Sequence, residues 1–420
     1  MAKIGKPDLQ RITDFAEPII KRYNAENQPL AFWVFDIKSV EDAINRWAKV
    51  LPSVHPMYAV KCNPEPHLVE LLGNLGCGFD CATLNEVKEV LKLGFRVEDI
   101  TFSQVFKPYR DLIMAYALGV RLTIVDSVNE VQKIAKYAPD MGIMVRIMKN
   151  DTTANYSLGD RFGLRDEAEY EDVIKEIARL KLNMKGVHFH VGSDSQNCQI
   201  FKEALQVAKF LVDISHKYGL HPDLFDLGGG FSQTAPFEDF GEVIENSIKE
   251  LGFPEGSRFI AEPGRYLASN AFHLVTSIHG KRVRNIDGKR EIDYTVGDGI
   301  HGCLAHCLLF NREDECYCPT KRSEGAVLYK SYIFGPSCDG RDLTSSGLFP
   351  ELQEGVDWII FPCTGAYSIS LATNFNGFES KEHDVHIMKS EDVDKIKVPP
   401  YIEKHSVHAL RSKVPKWFQE

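Results

Sequence analysis

Eight short apolar, β-branched stretches follow one another along the first two thirds of the chain, with longer helix-patterned segments between them. They cover residues 57–60, 77–80, 100–103, 122–125, 142–147, 187–190, 224–227 and 259–262. In the intervals, residues 84–93 set Val87, Val90 and Leu91 on one helical face, and residues 201–218 carry apolar side chains at helical spacing. Eight strand and helix units in this order predict an α/β fold, a TIM (β/α)8 barrel. An open doubly wound sheet competes with it, but the glycine fingerprint that should follow its first strand is missing.

After Leu267 the pattern changes. Residues 272–278, 292–296, 331–334 and 357–361 alternate or run apolar between turns, which predicts a second, β-rich domain, a β-sandwich or barrel-like. The strand-like residues 31–35 are expected to join it. The division expected is residues 37–268 for the barrel, with residues 1–36 and 269–420 for the β-rich domain and its surface extension over 397–420. A chain of 420 residues suits two such domains better than one.

Charge and composition remove several functions. A net charge of −10 without any block of lysine and arginine leaves no footprint for nucleic acid. No apolar run approaches a membrane span, and the start lacks the apolar core of a secretory signal, so no membrane role and a cytoplasmic location are expected. The ten cysteines should then be reduced thiols. Cys303, Cys307, Cys316 and Cys318, with His301 and His306 nearby, offer metal-ligand chemistry, but their spacing does not match paired CxxC knuckles and no metal is expected.

Chemistry collects where the stretches end. Lys61 follows the first, and Cys62-Asn63-Pro64 turns the chain immediately afterwards. A lysine against apolar walls loses its proton more readily than a surface lysine and becomes a candidate amine nucleophile for a carbonyl. The plainer alternative is a stem packed on the core with its head in water. Barrel enzymes place their sites on the loops after the strands, with phosphate after the seventh and eighth. Here the seventh stretch runs into Gly228-Gly229-Gly230 and the eighth into Glu262-Pro263-Gly264-Arg265. Bare glycine backbone approaches a phosphate closely and donates amide hydrogen bonds. The sixth stretch ends in Phe189-His190-Val191-Gly192-Ser193 and the second in Asp80. One rim would carry an amine, two carboxylates, an imidazole and a phosphate cradle, which are the parts of a pyridoxal phosphate site.

The same residues carry a resemblance. Tyr58-Ala59-Val60-Lys61-Cys62-Asn63, Gly78-Phe79-Asp80-Cys81-Ala82, Phe189-His190-Val191-Gly192-Ser193, Asp226-Leu227-Gly228-Gly229-Gly230-Phe231 and Ala261-Glu262-Pro263-Gly264-Arg265-Tyr266 resemble the ornithine decarboxylase family. The likeness continues through Gly335-Pro336-Ser337-Cys338-Asp339-Gly340 and Gly365-Ala366-Tyr367. It implies a barrel and a β-domain, pyridoxal 5'-phosphate as cofactor, and a homodimer whose sites combine residues of both chains. Lys61 matches the Schiff-base lysine, Glu262 the partner of the pyridine nitrogen, and His190 the residue stacked on the ring. Ser193, Gly229, Gly230, Gly264, Arg265 and Tyr367 match phosphate-binding positions, and Asp80 a carboxylate near the lysine. Cys338 matches the residue that returns a proton to Cα, donated with Asp339 from the opposite subunit, and Phe375 falls with the substrate contacts. The acid at Glu262 sets this pattern apart from similarly folded racemases, where an arginine usually faces the pyridine nitrogen.

The pattern departs at the far end of the substrate. After Asp298-Gly299 the chain is one residue longer than the family's usual version, and alignment sets Phe310-Asn311 where a tyrosine and a second aspartate are expected. Asn311 accepts a hydrogen bond but brings no charge, leaving Asp339 as the principal carboxylate, with Glu313, Asp314 or Glu315 as substitutes if the loop is shifted. An arginine common in the family is replaced at Ser157, with Arg161 close by. The resemblance thus implies decarboxylation of ornithine to putrescine. Lysine or arginine decarboxylation, or a silent regulator resembling antizyme inhibitors, are the alternatives, and an antizyme-like regulator is a further partner it suggests.

Overall fold

The computed structural model describes residues 7–26, 30–156, 161–310, 313–320, 322–323 and 325–389. These fall into two compact units, one of residues 42–267 and the other of residues 7–41 and 268–389.

The first unit is a closed parallel barrel of eight strands: β2 (Val54–Ala59), β3 (Gly78–Cys81), β4 (Ile100–Phe102), β5 (Leu122–Val125), β6 (Gly142–Ile147), β7 (Met184–Phe189), β8 (Leu224–Asp226) and β9 (Arg258–Ala261). They pair in chain order, and β9 returns to β2 with Val54 opposite Phe259. β1 (Ala31–Asp36) precedes the barrel in sequence and belongs to the other unit. The barrel strands are short and buried at almost every position, as parallel strands covered on both faces must be. That is why they read as apolar runs without alternation. Where β7 and β8 pair, Gly186 is obligatory, because a Cβ there would sit 1.6 Å from the carbonyl oxygen of Leu224.

All eight expected strands are present, with shifted ends. β2 begins three residues earlier than the apolar run, since His55 and Pro56 hide its first half, and it closes at Ala59. Lys61 therefore sits in a 3-10 turn, Val60–Cys62, not on the strand itself. The helix Leu84–Lys92 starts from a reciprocal cap in which Thr83 and Glu86 exchange side-chain and backbone hydrogen bonds. It fixes the turn leaving Asp80. Behind the last two barrel loops, Trp47, Phe201, Phe231, Phe237, Phe240 and Tyr266 interlock as an aromatic cluster, which anchors the glycine loop from beneath.

The second unit is a mixed seven-stranded sheet of β1, β10 (Phe272–Ile286), β11 (Lys289–Val296), β12 (Leu328–Phe334), β13 (Leu343–Pro350), β14 (Trp358–Phe361) and β15 (Asp384–Met388). Its path runs β13-β12-β11-β10-β1-β15, with β14 also paired to β10. β1 joins it as expected, lying antiparallel to β10 and parallel to β15. The expected strand 272–278 is only the first half of β10, whose outer half is exposed and polar and so lacks an apolar signature. β13 and β15 escape sequence reading because exposed and buried residues mix along them. Among the described residues no helix is long and apolar enough to cross a membrane.

Candidate active site

Lys61 leaves its turn on the carboxyl-terminal rim of the barrel with a side chain 36% exposed, and its Nζ lies 2.5 Å from Oδ2 of Asp80. Asp80 is fully buried, and its other oxygen has no hydrogen-bond partner among the described residues. Burial, followed by the charge of Glu262, pushes its carboxyl above the usual range, against the pull of Lys61. A buried anion with one bare oxygen gives this amine a reason to stay where it is.

Glu262 follows β9, and its backbone nitrogen donates to Gly228 O at 2.7 Å. Its Oε1 lies 3.1 Å from Nε2 of the sealed His188. Burial, then the charge of Arg146, holds His188 well below the ordinary imidazole range. The ring is neutral, and a carboxylate only accepts, so Nε2 carries the hydrogen. Asp226, at the end of β8, is buried with them. Its Oδ1 accepts from Gly228 N at 2.9 Å, its Oδ2 has no partner among the described residues, and burial with the charge of Glu262 pushes its carboxyl well above the usual range.

The glycine loop and its neighbours form the cradle. Gly230 has φ +117, a conformation that costs an L side chain dearly, and its carbonyl accepts from Ser195 N at 2.9 Å. A Cβ at Gly229 would stand 2.5 Å from His190 Nε2. His190 is only partly buried, yet the protein around the ring pushes its pKa down to about 3 by desolvation. Its Nδ1 accepts from Gly192 N at 3.2 Å, which leaves the hydrogen on Nε2. Arg265 donates from Nε to Ser193 Oγ at 3.1 Å and lies 4.5 Å over the ring of Tyr156. Gly264 packs tightly on the lysine turn, where a Cβ would come within 2.9 Å of that of Cys62.

The structure thus brings Lys61, Asp80, His190, Ser193, Gly229, Gly230, Glu262, Gly264 and Arg265 to one rim. The other expected residues belong to the second unit. Tyr367, in the turn after β14, is held at φ +58, a strained backbone for a tyrosine. Cys338 is exposed, and its backbone nitrogen donates to Asn376 Oδ1 at 2.9 Å. Asp339 accepts from Arg341 and from Nε2 of His301 at 2.9 Å, and the His301 ring lies 4.4 Å from that of Phe375. The buried Asp342 staples two of these loops together, taking Ile300 N at 2.8 Å and Ser337 N at 2.9 Å. Asn311 and Ser157 lie outside the described residues, as do residues 397–420 and the side chain of Phe310.

Sequence reasoning gave no role to His188, Asp226, Arg146 or Arg341, and weighed His301 only beside a metal. His188 stands two residues before His190, so strand alternation could have put the two on one face. Asp226 opens a quoted motif and went unassigned. Arg341 left no signal at all. The cysteine and histidine cluster divides in two: Asp298, Cys303 and His383 lie together, and His306, Cys307 and Asp314 lie together. Both groups are held by protein hydrogen bonds, His383 to Asp298, Cys303 to Ser380 O, and His306 to Asp314.

A parallel barrel with an amine, buried acids and a glycine cradle at its carboxyl rim defines an enzyme that works through a bound carbonyl cofactor. The family described as pyridoxal-dependent decarboxylase, pyridoxal binding domain, matches residues 37–269, and the chain belongs to this family of pyridoxal-dependent decarboxylases. Ornithine decarboxylase 2 of Drosophila melanogaster is 35% identical over 369 residues, 87% of this chain and 93% of the relative. The crystal structure of ornithine decarboxylase from Entamoeba histolytica is 51% identical with a TM-score of 0.77, covering 90% of this chain and 99% of that one. The arginine decarboxylase of Paramecium bursaria Chlorella virus, bound to agmatine, is 31% identical with a TM-score of 0.83, covering 90% and 100%. The residues present fit pyridoxal 5'-phosphate: an amine on the rim, bare buried oxygens on Asp80 and Asp226, and a cradle that tolerates no Cβ at Gly229.

Proposed function

We propose that the chain decarboxylates L-ornithine to putrescine as a homodimer with shared sites. The observation that carries the reading is the Lys61 amine held at 2.5 Å by buried Asp80 on the rim that also bears Glu262 and the glycine cradle. The identity shared with ornithine decarboxylases of other organisms supports the choice of substrate.

Pyridoxal phosphate supplies, when bound, a conjugated ring that accepts the electron pair left at Cα as carbon dioxide departs. Lys61 is the amine that would hold the cofactor. Asp80 keeps that amine on the rim. Glu262, oriented by His188, holds a proton at the pyridine nitrogen, which strengthens the electron sink. His190 would help hold the cofactor's ring. Ser193, Gly229, Gly230, Gly264 and Arg265, with Tyr367, hold the phosphate through amides, hydroxyls and a guanidinium. Cys338, from the partner chain, returns a proton to Cα through its thiol. Asp339 and Phe375 would meet the substrate's far end, a role the family resemblance also gives to positions 310 and 311.

The test is carbon dioxide release by purified protein with pyridoxal phosphate, offered ornithine, lysine, arginine and diaminopimelate separately. Ornithine should give the fastest release. Faster release from lysine or arginine overturns the substrate but keeps the mechanism, and no release from any of them leaves only a binding role of the antizyme-inhibitor kind.

A further inference from the structure

The loops that follow β6 and β7 are zipped together beside the glycine cradle. Asp151 N donates to Val191 O at 2.7 Å, Tyr156 N to Ser193 O at 3.1 Å, and Ser193 N back to Tyr156 O at 2.9 Å. The last two close an antiparallel bridge between Tyr156 and Ser193. Asn155 adds a bond from its backbone nitrogen to Asp194 O at 3.2 Å and another from Nδ2 to Asp194 Oδ2 at 2.5 Å. Asp194 needs that support, because its backbone is held at φ +58, where few residues other than glycine settle unaided. Ser195 carries the clamp on to the loop after β8, donating from Oγ to Asp151 Oδ2 at 2.6 Å and from N to Gly230 O at 2.9 Å. The buried carboxylates of Asp151 and Asp194 are thus spent on holding three loops of the barrel in register.

What the clamp presents is the ring of Tyr156. The guanidinium carbon of Arg265 lies 4.5 Å over that ring, and Nε of the same arginine donates to Ser193 Oγ at 3.1 Å. Two bridged residues therefore grip one guanidinium, the hydroxyl by its edge and the ring by its face. A long side chain held on both sides is restrained from swinging about its stem, and the direction of its other donors is set. Ser193 Oγ accepts from Arg265, so its own hydrogen is left for a further acceptor.

We propose that Tyr156 is a positioning residue for the cofactor's phosphate, its ring setting the plane of the Arg265 guanidinium so that this cation and the Ser193 hydroxyl face one anion. The inference rests on the reading of Ser193, Gly230 and Arg265 as a phosphate cradle and deepens it. Tyr156 acts through Arg265 and needs no contact with the phosphate. An arginine side chain loses rotamer freedom when it captures an anion, and a ring that has already fixed it removes part of that loss.

The backbone bonds of the clamp survive any side chain at position 156 except proline, so substitution isolates the ring. Tyr156→Phe keeps an aromatic face, whereas Tyr156→Leu and Tyr156→Gln remove it with side chains of opposite polarity, so the result does not hang on one variant's folding. Dissociation constants for pyridoxal phosphate and for pyridoxal, which lacks the phosphate, should be measured by fluorescence titration of the full chain freed of cofactor. Tyr156→Phe should stay within about twofold of the native chain for both. Tyr156→Leu and Tyr156→Gln should bind pyridoxal phosphate about fivefold more weakly and pyridoxal as the native chain does. In an Arg265→Gln background, where the guanidinium is gone, Tyr156→Leu should add nothing further. Equal weakening toward both ligands, native affinity in a folded Tyr156→Leu, or an undiminished effect in the Arg265→Gln background overturns the proposal. The cradle reading fails differently: the native chain would bind pyridoxal as tightly as pyridoxal phosphate, and Arg265→Gln would change neither, which overturns the role of Tyr156 along with it.

Discussion

Nε2 of His188 stands 3.1 Å from Oε1 of Glu262, with both side chains sealed from water. Because the ring is held neutral, this is a hydrogen bond from imidazole to carboxylate and not an ion pair. Its job is to aim Glu262. His188→Leu should lower kcat by about 10- to 100-fold with KM nearly unchanged, the scale of a lost hydrogen bond to a charged group. His188→Gln, which keeps a donor, should recover part of the rate. A loss confined to KM would assign His188 to substrate binding instead.

Asp226 gives a prediction about stability and pH. Its folded-state pKa is raised, by burial first and then by Glu262, so the folded chain holds a proton that the unfolded chain releases. Stability is then lost as the pH rises above the ordinary carboxylate value of 3.8 toward the raised one. Asp226→Asn keeps the acceptor for Gly228 N and removes the titration. Without cofactor, the variant should melt higher than the native chain at pH 8, and the gap should shrink as the pH falls toward 5. A gap that widens on acidification refutes the assignment.

Gly229 separates cofactor binding from folding. A Cβ there meets the Nε2 end of His190 at 2.5 Å, and its contact with the Glu262 carbonyl oxygen, at 3.4 Å, is ordinary. The imidazole is the part that must move. Gly229→Ala should weaken pyridoxal phosphate binding about tenfold while leaving the melting temperature of the cofactor-free protein within a few degrees. Fluorescence titration with the cofactor and thermal melts would check the two halves.

Mixed dimers test the sharing of sites. Lys61→Ala should abolish the yellow colour of the lysine-bound cofactor, and Cys338→Ala should leave the colour but remove turnover to putrescine. When the two inactive chains are mixed and exchanged, half the dimers are hybrids with one whole site, so about a quarter of native activity should return. Exchange proven by mass, without recovered activity, would place Lys61 and Cys338 of one chain in the same site.

The barrel was legible because burial on both faces forces its strands to be apolar throughout, and a run such as Ile100–Phe102 has no other simple reading. The site on its rim was legible for a different reason: phosphate and amine chemistry need particular residues on particular loops, so Gly228-Gly229-Gly230 and Lys61 stood out. The missing pieces have physical causes. β13 mixes exposed and buried residues in a half-covered sheet, and its period is blurred. His188 faces inward behind Glu262, and only the alternation of β7 relates the two. The pairing of His301 with Asp339 joins residues on loops far apart in sequence, so nothing local announces it.

The brace around Asp342 has a consequence for how such a chain can change over time. Asp342 ties residues 298–304 to residues 335–342, and Asn376 ties Cys338 to residues 373–377, all within one unit that supplies none of the barrel's rim. On the proposed function, the residues that break the bond and those that choose the substrate therefore belong to separate units. The first includes glycines where an added Cβ meets a neighbour, as at Gly229 and Gly264, whereas the second includes exposed loop residues such as Cys338, where a changed side chain can be tried. A lineage can drift from one cationic amino acid to another without endangering the reaction itself.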